Sequence, residues 1–112
     1  MTDNQLNALV AEKVMGYKSR SNEAGTVYTT PNSYEVLAAR DLPDYANDIA
    51  AAWRVWERMG TGWIIYNSQD GIGIYDSIYN LDEGRAIESG VSLPRTICLA
   101  ALKTIGINYV KK

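Results

Sequence analysis

The chain has 112 residues, 46% of them hydrophobic and 21% charged, which suits a single unit with its own core and excludes the composition of disorder. Its 11 basic and 13 acidic residues leave a net charge of −2, so no general attraction to nucleic-acid phosphates or to an anionic membrane is built in. One cysteine, Cys98, forbids an internal disulfide, and the absence of histidine removes the Ser-His and Cys-His nucleophile arrangements together with the commonest metal ligand.

Thr2 or Asp3 can cap a first helix that runs to about Met15, with Leu6, Leu9, Val10 and Val14 on one face and Gly16 as its stop. The opening residues Thr2-Asp3-Asn4-Gln5 have no basic region leading into an apolar stretch, and no apolar run reaches bilayer length, so a cytoplasmic protein without membrane contact is expected. Lys18 to Glu23 is polar and aperiodic and reads as a loop. Thr26-Val27-Tyr28-Thr29-Thr30 is β-branched and reads as a strand that Pro31-Asn32 ends. Residues 33–40, with Tyr34, Val36 and Leu37, fit either a strand or irregular packing.

Pro43 and Asp44 precede a second helix, Asn47 or Asp48 lies in its first turn, and Gly60 follows it. Ile49, Ala52, Trp53, Trp56 and Met59 fall on one stripe of that helix, the pattern of a helix lying on a sheet, and Ala50, Ala51 and Ala52 permit close approach. Gly62 to Asn67, the turn Asp70-Gly71 and Ile72 to Tyr75 read as an antiparallel hairpin. Trp63 and Ile65 point one way and Ile64 and Tyr66 the other, so both faces of this strand call for cover. A turn at Asp82-Glu83-Gly84 introduces a third strand, Arg85 to Ser89, completing a meander. Gly90 separates it from a last helix that opens at Ser92-Leu93-Pro94, buries Ile97, Cys98, Ala101, Leu102 and Ile105, and stops at Gly106. Lys111 and Lys112 form a solvated tail. Three helices and about four strands around one core, a single domain over residues 1–112, make an α/β (α+β) sandwich.

Three segments carry a family likeness: Leu9 to Tyr17, Leu42-Pro43-Asp44-Tyr45 through Asp48 to Trp53, and Ile97 to Leu102. In that order they resemble the phage α-β-α sandwich family, small proteins of bacteriophages and prophages. Two departures are Tyr17, where the family has Trp, and Ala46-Asn47, where it often has Ser-Thr. The resemblance implies a three-layer α-β-α sandwich with a mainly antiparallel sheet and no defined chemistry. It also implies, by analogy with small phage accessory proteins, an action on host machinery or host defences.

Among candidate sites, Trp53, Trp56, Trp63, Tyr17, Tyr66 and Tyr75 could stack a base, but a chain with no Phe must also use Trp and Tyr for its core. Arg54 and Arg58 are one turn apart and could grip a phosphate, although Glu57 dilutes their field. Lys18 and Arg20, beside Ser19 and Ser21, are anion contacts on a polar loop. Gly71-Ile72-Gly73 enters a strand, not a helix, and is no phosphate loop. Asp70, Asp76, Asp82 and Glu83 are explained by turns, with a carboxylate-dependent hydrolase as the third reading. Cys98 lies on an apolar stripe and reads as a buried small hydrophobe.

The expectation is therefore a non-catalytic binding protein without a cofactor or metal. It would hold a nucleotide-like small molecule or a host defence protein, using Lys18, Arg20, Arg54 and Arg58 for anionic groups and Tyr17 and Trp56 for stacking. The alternative is a structural module that forms a homo-oligomer or a virion or host contact.

Overall fold

Thr2 starts the first helix of the computed structural model, which describes residues 2–33, 35–60, 62–69, 71–75, 88–90 and 92–106. Its hydroxyl accepts from the Gln5 N–H while the Gln5 side chain accepts from the Thr2 N–H, a reciprocal cap on α1 (Asp3–Lys13). Leu6, Val10 and Ala11 are buried on its inner face, and so is Asn7. The helix α2 (Ile49–Met59) is capped by Asp48, whose carboxylate accepts from the Ala50 N–H, and ends at Gly60, whose φ of +91° suits a residue without a side chain. The helix α3 (Leu93–Thr104) begins with Pro94 in its first turn, as expected, and is buried along most of its circumference.

Among the described residues all strand pairs are antiparallel, but they form two three-stranded sheets where one was expected. The first sheet orders β1 (Lys18–Asn22), β2 (Gly25–Thr29) and β3 (Val36–Ala38), and a short 3₁₀ turn, Ala39–Asp41, follows. The loop expected at Lys18 to Glu23 is thus a strand for most of its length, in register with β2 from Lys18 opposite Thr29 to Asn22 opposite Gly25. Every residue of β1 is exposed, so neither face carries the alternation by which a sequence announces a strand. Pairing makes it a strand: the Asn22 side chain accepts from the Ala24 N–H to set the turn, and the Ser21 and Thr26 hydroxyls meet at 3.0 Å across it.

The second sheet is the expected meander, β4 (Ile64–Ser68), β5 (Gly71–Tyr75) and β6 (Glu88–Gly90). Ile65 lies opposite Ile74, and Ile74 opposite Glu88, on the face that α3 covers. Ile74 is fully buried, and the buried Glu88 carboxylate pairs with Lys103 of α3 at 3.5 Å. The opposite face carries Ile64, Tyr66 and Tyr75, and Tyr66 is 53% exposed, so the cover expected on both faces does not reach it. Gly90, expected as a spacer, is the last residue of β6. A side chain there would meet the Thr96 hydroxyl at 2.6 Å, so its absence lets the strand lie close on α3.

The core is one cluster in which α1, α2, β5 and β6 all pack on α3. This corrects the expected stripe of α2. Ala51, Ala52 and Val55 are its buried residues, Trp56 and Met59 are half-buried, and Ile49 and Trp53 are each 41% exposed. The reason is the partner: α2 lies on another helix, and small side chains let two helix axes approach where bulky ones would hold them apart. Ile105, placed on the apolar face of the last helix by the same spacing argument, is 48% exposed. No helix among the described residues is long and apolar enough to cross a membrane. The turn expected at 82–84, residues 85–87 of the expected third strand, Asp70, Asp76 and the expected tail Lys111-Lys112 lie outside the described residues.

Candidate functional site

The helices α1, α2 and α3 end at a common groove. Lys13 and Val14 from the end of α1, Arg58 and Met59 from the end of α2, and Ala101, Thr104 and Ile105 from the end of α3 line a space of about 360 Å³, together with Trp63. A helix C-terminus leaves carbonyls unpaired and carries partial negative charge, so three of them converging require donors and cations. The chain supplies both. Arg58 donates through Nε to the Val14 carbonyl at 3.3 Å, Trp63 donates through its indole N–H to the Met59 carbonyl at 3.1 Å, and the Thr104 hydroxyl donates to the Ala101 carbonyl at 2.7 Å. Each helix also carries a cation in its last turn, Lys13, Arg58 and Lys103 respectively. Lys103 is engaged by Glu88, which leaves Lys13 and Arg58 as the cations of the groove.

The segment that leaves α1 crosses the same flank of α2. A side chain on Gly16 would lie 3.9 Å from the Arg58 guanidinium, and the next residue, Tyr17, stands close enough to the phenol of Tyr45, which is 1% exposed, to act on it. Burial, and then the Tyr17 hydroxyl, push the Tyr45 phenol well above its ordinary value, while the nearby Arg54 opposes the rise. Tyr17, Arg54 and Arg58 are thus brought to one junction, with Lys18 next along the chain. Arg20 stands farther out on the exposed strand β1, opposite Val27. Trp56 does not join them. Two residues from Arg54 and two from Arg58, it projects from the other side of α2, half-buried, its ring edge-on to Trp53 at 6.2 Å.

Lys13 and Tyr45 were not among the candidate site residues, and Trp63, named with five other rings as able to stack a base, was passed over for Trp56. Lys13 had a legible signal, a cation in the last turn before a helix-stopping glycine. Trp63 had none, because it was indistinguishable from a core ring until its indole N–H was seen to cap α2.

A second cleft, of about 260 Å³, lies at the opposite end of α1 among Asp3, Asn4, Asn7, Ala39, Arg40, Leu42, Asp44 and Asn47. Its polar groups bond one another. The Asn7 amide donates to Asp44 at 3.0 Å and accepts from the Ala46 N–H at 2.8 Å, Asn47 donates to Asp3 and Asp44, and Arg95 of α3 reaches Asp3 at 2.6 Å. This network ties the start of α1 to the turn before α2, and its chemistry is that of a clamp. Cys98 donates its thiol to the Tyr45 carbonyl at 3.2 Å, and burial pushes the thiol up from 9.0 to about 12, so it stays protonated and inert at neutral pH.

Helices gathered on α3 beside antiparallel sheets define an α+β sandwich, and residues 8–102 match the model of the phage ABA sandwich domain. The chain belongs to that family. It is similar in fold to a phage protein from Bacillus cereus ATCC 14579 of known crystal structure, with a TM-score of 0.65 and 18% identity over 98% of this chain and 93% of that one. No functionally curated protein matches the chain.

Proposed function

We propose that the protein is a non-catalytic binding protein of a phage or prophage, working in the cytoplasm of the infected cell as a counter-defence factor that holds a nucleotide-derived signal or a host defence protein. The observation that carries this reading is the gathering of Lys13, Arg54, Arg58 and Tyr17 at one flank of a chain whose net charge is −2. Cations collected against the sign of the whole molecule favour an anionic ligand, and aromatic rings beside them favour a ligand with a planar group. The chain has no histidine with which to turn such a ligand over by the commonest acid-base route. Thermal-shift screening against cyclic nucleotides and ADP-ribose derivatives tests the reading: a ligand that binds raises the melting temperature in proportion to its excess over Kd and is recovered unchanged. A screen with no shift ends the small-molecule version.

A second reading has its own observation. Ile49 and Trp53 stand one turn apart and exposed on α2, as residues of a subunit or host-protein contact do. Light scattering on the intact chain separates the two, since a monomer at micromolar concentration ends the homo-oligomer version.

A further inference from the structure

We propose that the ligand seat is the groove where the three helices end, and that it takes an aromatic ring carrying one anionic group, of about nucleoside-monophosphate size. This rests on the small-molecule reading above and changes its residues, putting Trp63 and Lys13 in the places assigned to Trp56, Lys18 and Arg20.

Three features of the groove select that ligand. The first is a preset platform. The Trp63 indole lines the groove while its N–H is held by the Met59 carbonyl at 3.1 Å, so its polar edge is satisfied and its orientation is fixed before anything binds. Met59 and Ile105 extend the apolar wall, and Ile105 stands 48% exposed in a position where a bound ring would cover it.

The second feature is charge on the same groove. Arg58 is anchored through Nε to Val14, an arrangement that leaves the rest of its fork to meet an anion, and Lys13 lines the space beside it with its own neighbour Glu12 at 3.7 Å. Lys103, the remaining cation at these helix ends, is committed to the buried Glu88. Two cations against three helix C-termini leave a modest positive field, matched to a single phosphate or carboxylate and not to a polyanion.

The third is size. About 360 Å³ lies at the small end of the range for small-molecule sites, room for one ring system with its substituent. Strand β1, by contrast, offers Lys18 and Arg20 on an open strand with no concavity among the lining residues of either cleft.

The test uses the whole chain, labelled with nitrogen-15, and follows the three tryptophan indole N–H signals, the Trp63 signal being identified by its loss in Trp63→Phe. Adenosine monophosphate is titrated, with adenosine and ribose 5-phosphate as the ring-only and anion-only probes. Saturable movement of the Trp63 indole by adenosine monophosphate is expected, with each half-probe weaker by about tenfold or more, as loss of a charged or stacked contact implies. Lys13→Gln and Ile105→Gln, both at exposed positions, are expected to weaken binding about tenfold while lowering the melting temperature by no more than a few degrees. Binding that moves the Trp53 or Trp56 indole and leaves Trp63 still, or that is indifferent to both substitutions, overturns the groove as the seat while the small-molecule reading stands. No saturable movement with any probe also overturns the proposal, and the thermal-shift screen then decides separately whether any nucleotide-derived ligand binds elsewhere.

Discussion

Helix α3 and strand β1 are held in place by opposite means. Thr96, Ile97, Cys98, Ala100, Ala101 and Leu102 of α3 are buried, and two other helices and a sheet pack on it. Every residue of β1 is exposed, and hydrogen bonds to β2 are what hold it. This domain therefore has a stabilising centre and an outlying ribbon, and a substitution should matter according to which of the two it strikes.

The largest effect is expected at the centre. Leu102→Ala removes a fully buried side chain from the helix on which α1, α2 and the second sheet pack and should cost about 2–5 kcal/mol in urea unfolding, with the slope of the transition unchanged. A loss below about 1 kcal/mol would mean that α3 can collapse around the gap, and the contrast with β1 would lose its basis.

A smaller loss is expected where α1 is tied to the turn before α2. Asn7→Ala strands the buried Ala46 N–H and removes one partner of Asp44, and should cost about 1–3 kcal/mol by the same measurement. If the loss is negligible, water replaces the amide and the clamp adds nothing to the centre.

The smallest effect is expected in the ribbon. Lys18→Ala with Arg20→Ala should change stability by no more than about 0.5 kcal/mol each, because no apolar surface or buried partner is lost. Hydrogen exchange sharpens the point: amides of β1 and β2 should exchange through local opening well below the global unfolding free energy, whereas those of Ile97 to Leu102 should exchange only with it. Equal protection in the two regions would break the comparison.

The same contrast explains what could be read in advance. The helices were legible because their ends are chemical signals: Thr2, Pro94, and the glycines at 16, 60 and 106, while Asp48, read as a residue of the first turn of α2, is its cap. The pairing of β4 with β5 was legible because both strands are apolar, although Gly71, read as a turn residue, is the first residue of β5, opposite Ser68. Strand β1 was not, since polar residues on both faces leave no period to detect. The inward face of α2 was misread because the largest apolar residues, Ile49 and Trp53, were taken as the buried ones, while contact with α3 favours Ala51, Ala52 and Val55. The candidate site was half legible. Arg58 was singled out as an anion contact, and it does line the groove, but its first bond is to Val14, forty-four residues away.

Local signals by themselves determined that these helices form and, to within a few residues, where they start and stop, that the fold is an α+β sandwich, and that histidine chemistry and an internal disulfide are closed to the chain, because caps, periods and composition act over a few residues. Which face of α2 turns inward, that β1 is a strand, and that three helix ends meet around Trp63, Lys13 and Arg58 were decided only by the tertiary structure. Those outcomes depend on partners distant in sequence, and packing chooses among faces that local propensity leaves nearly equal.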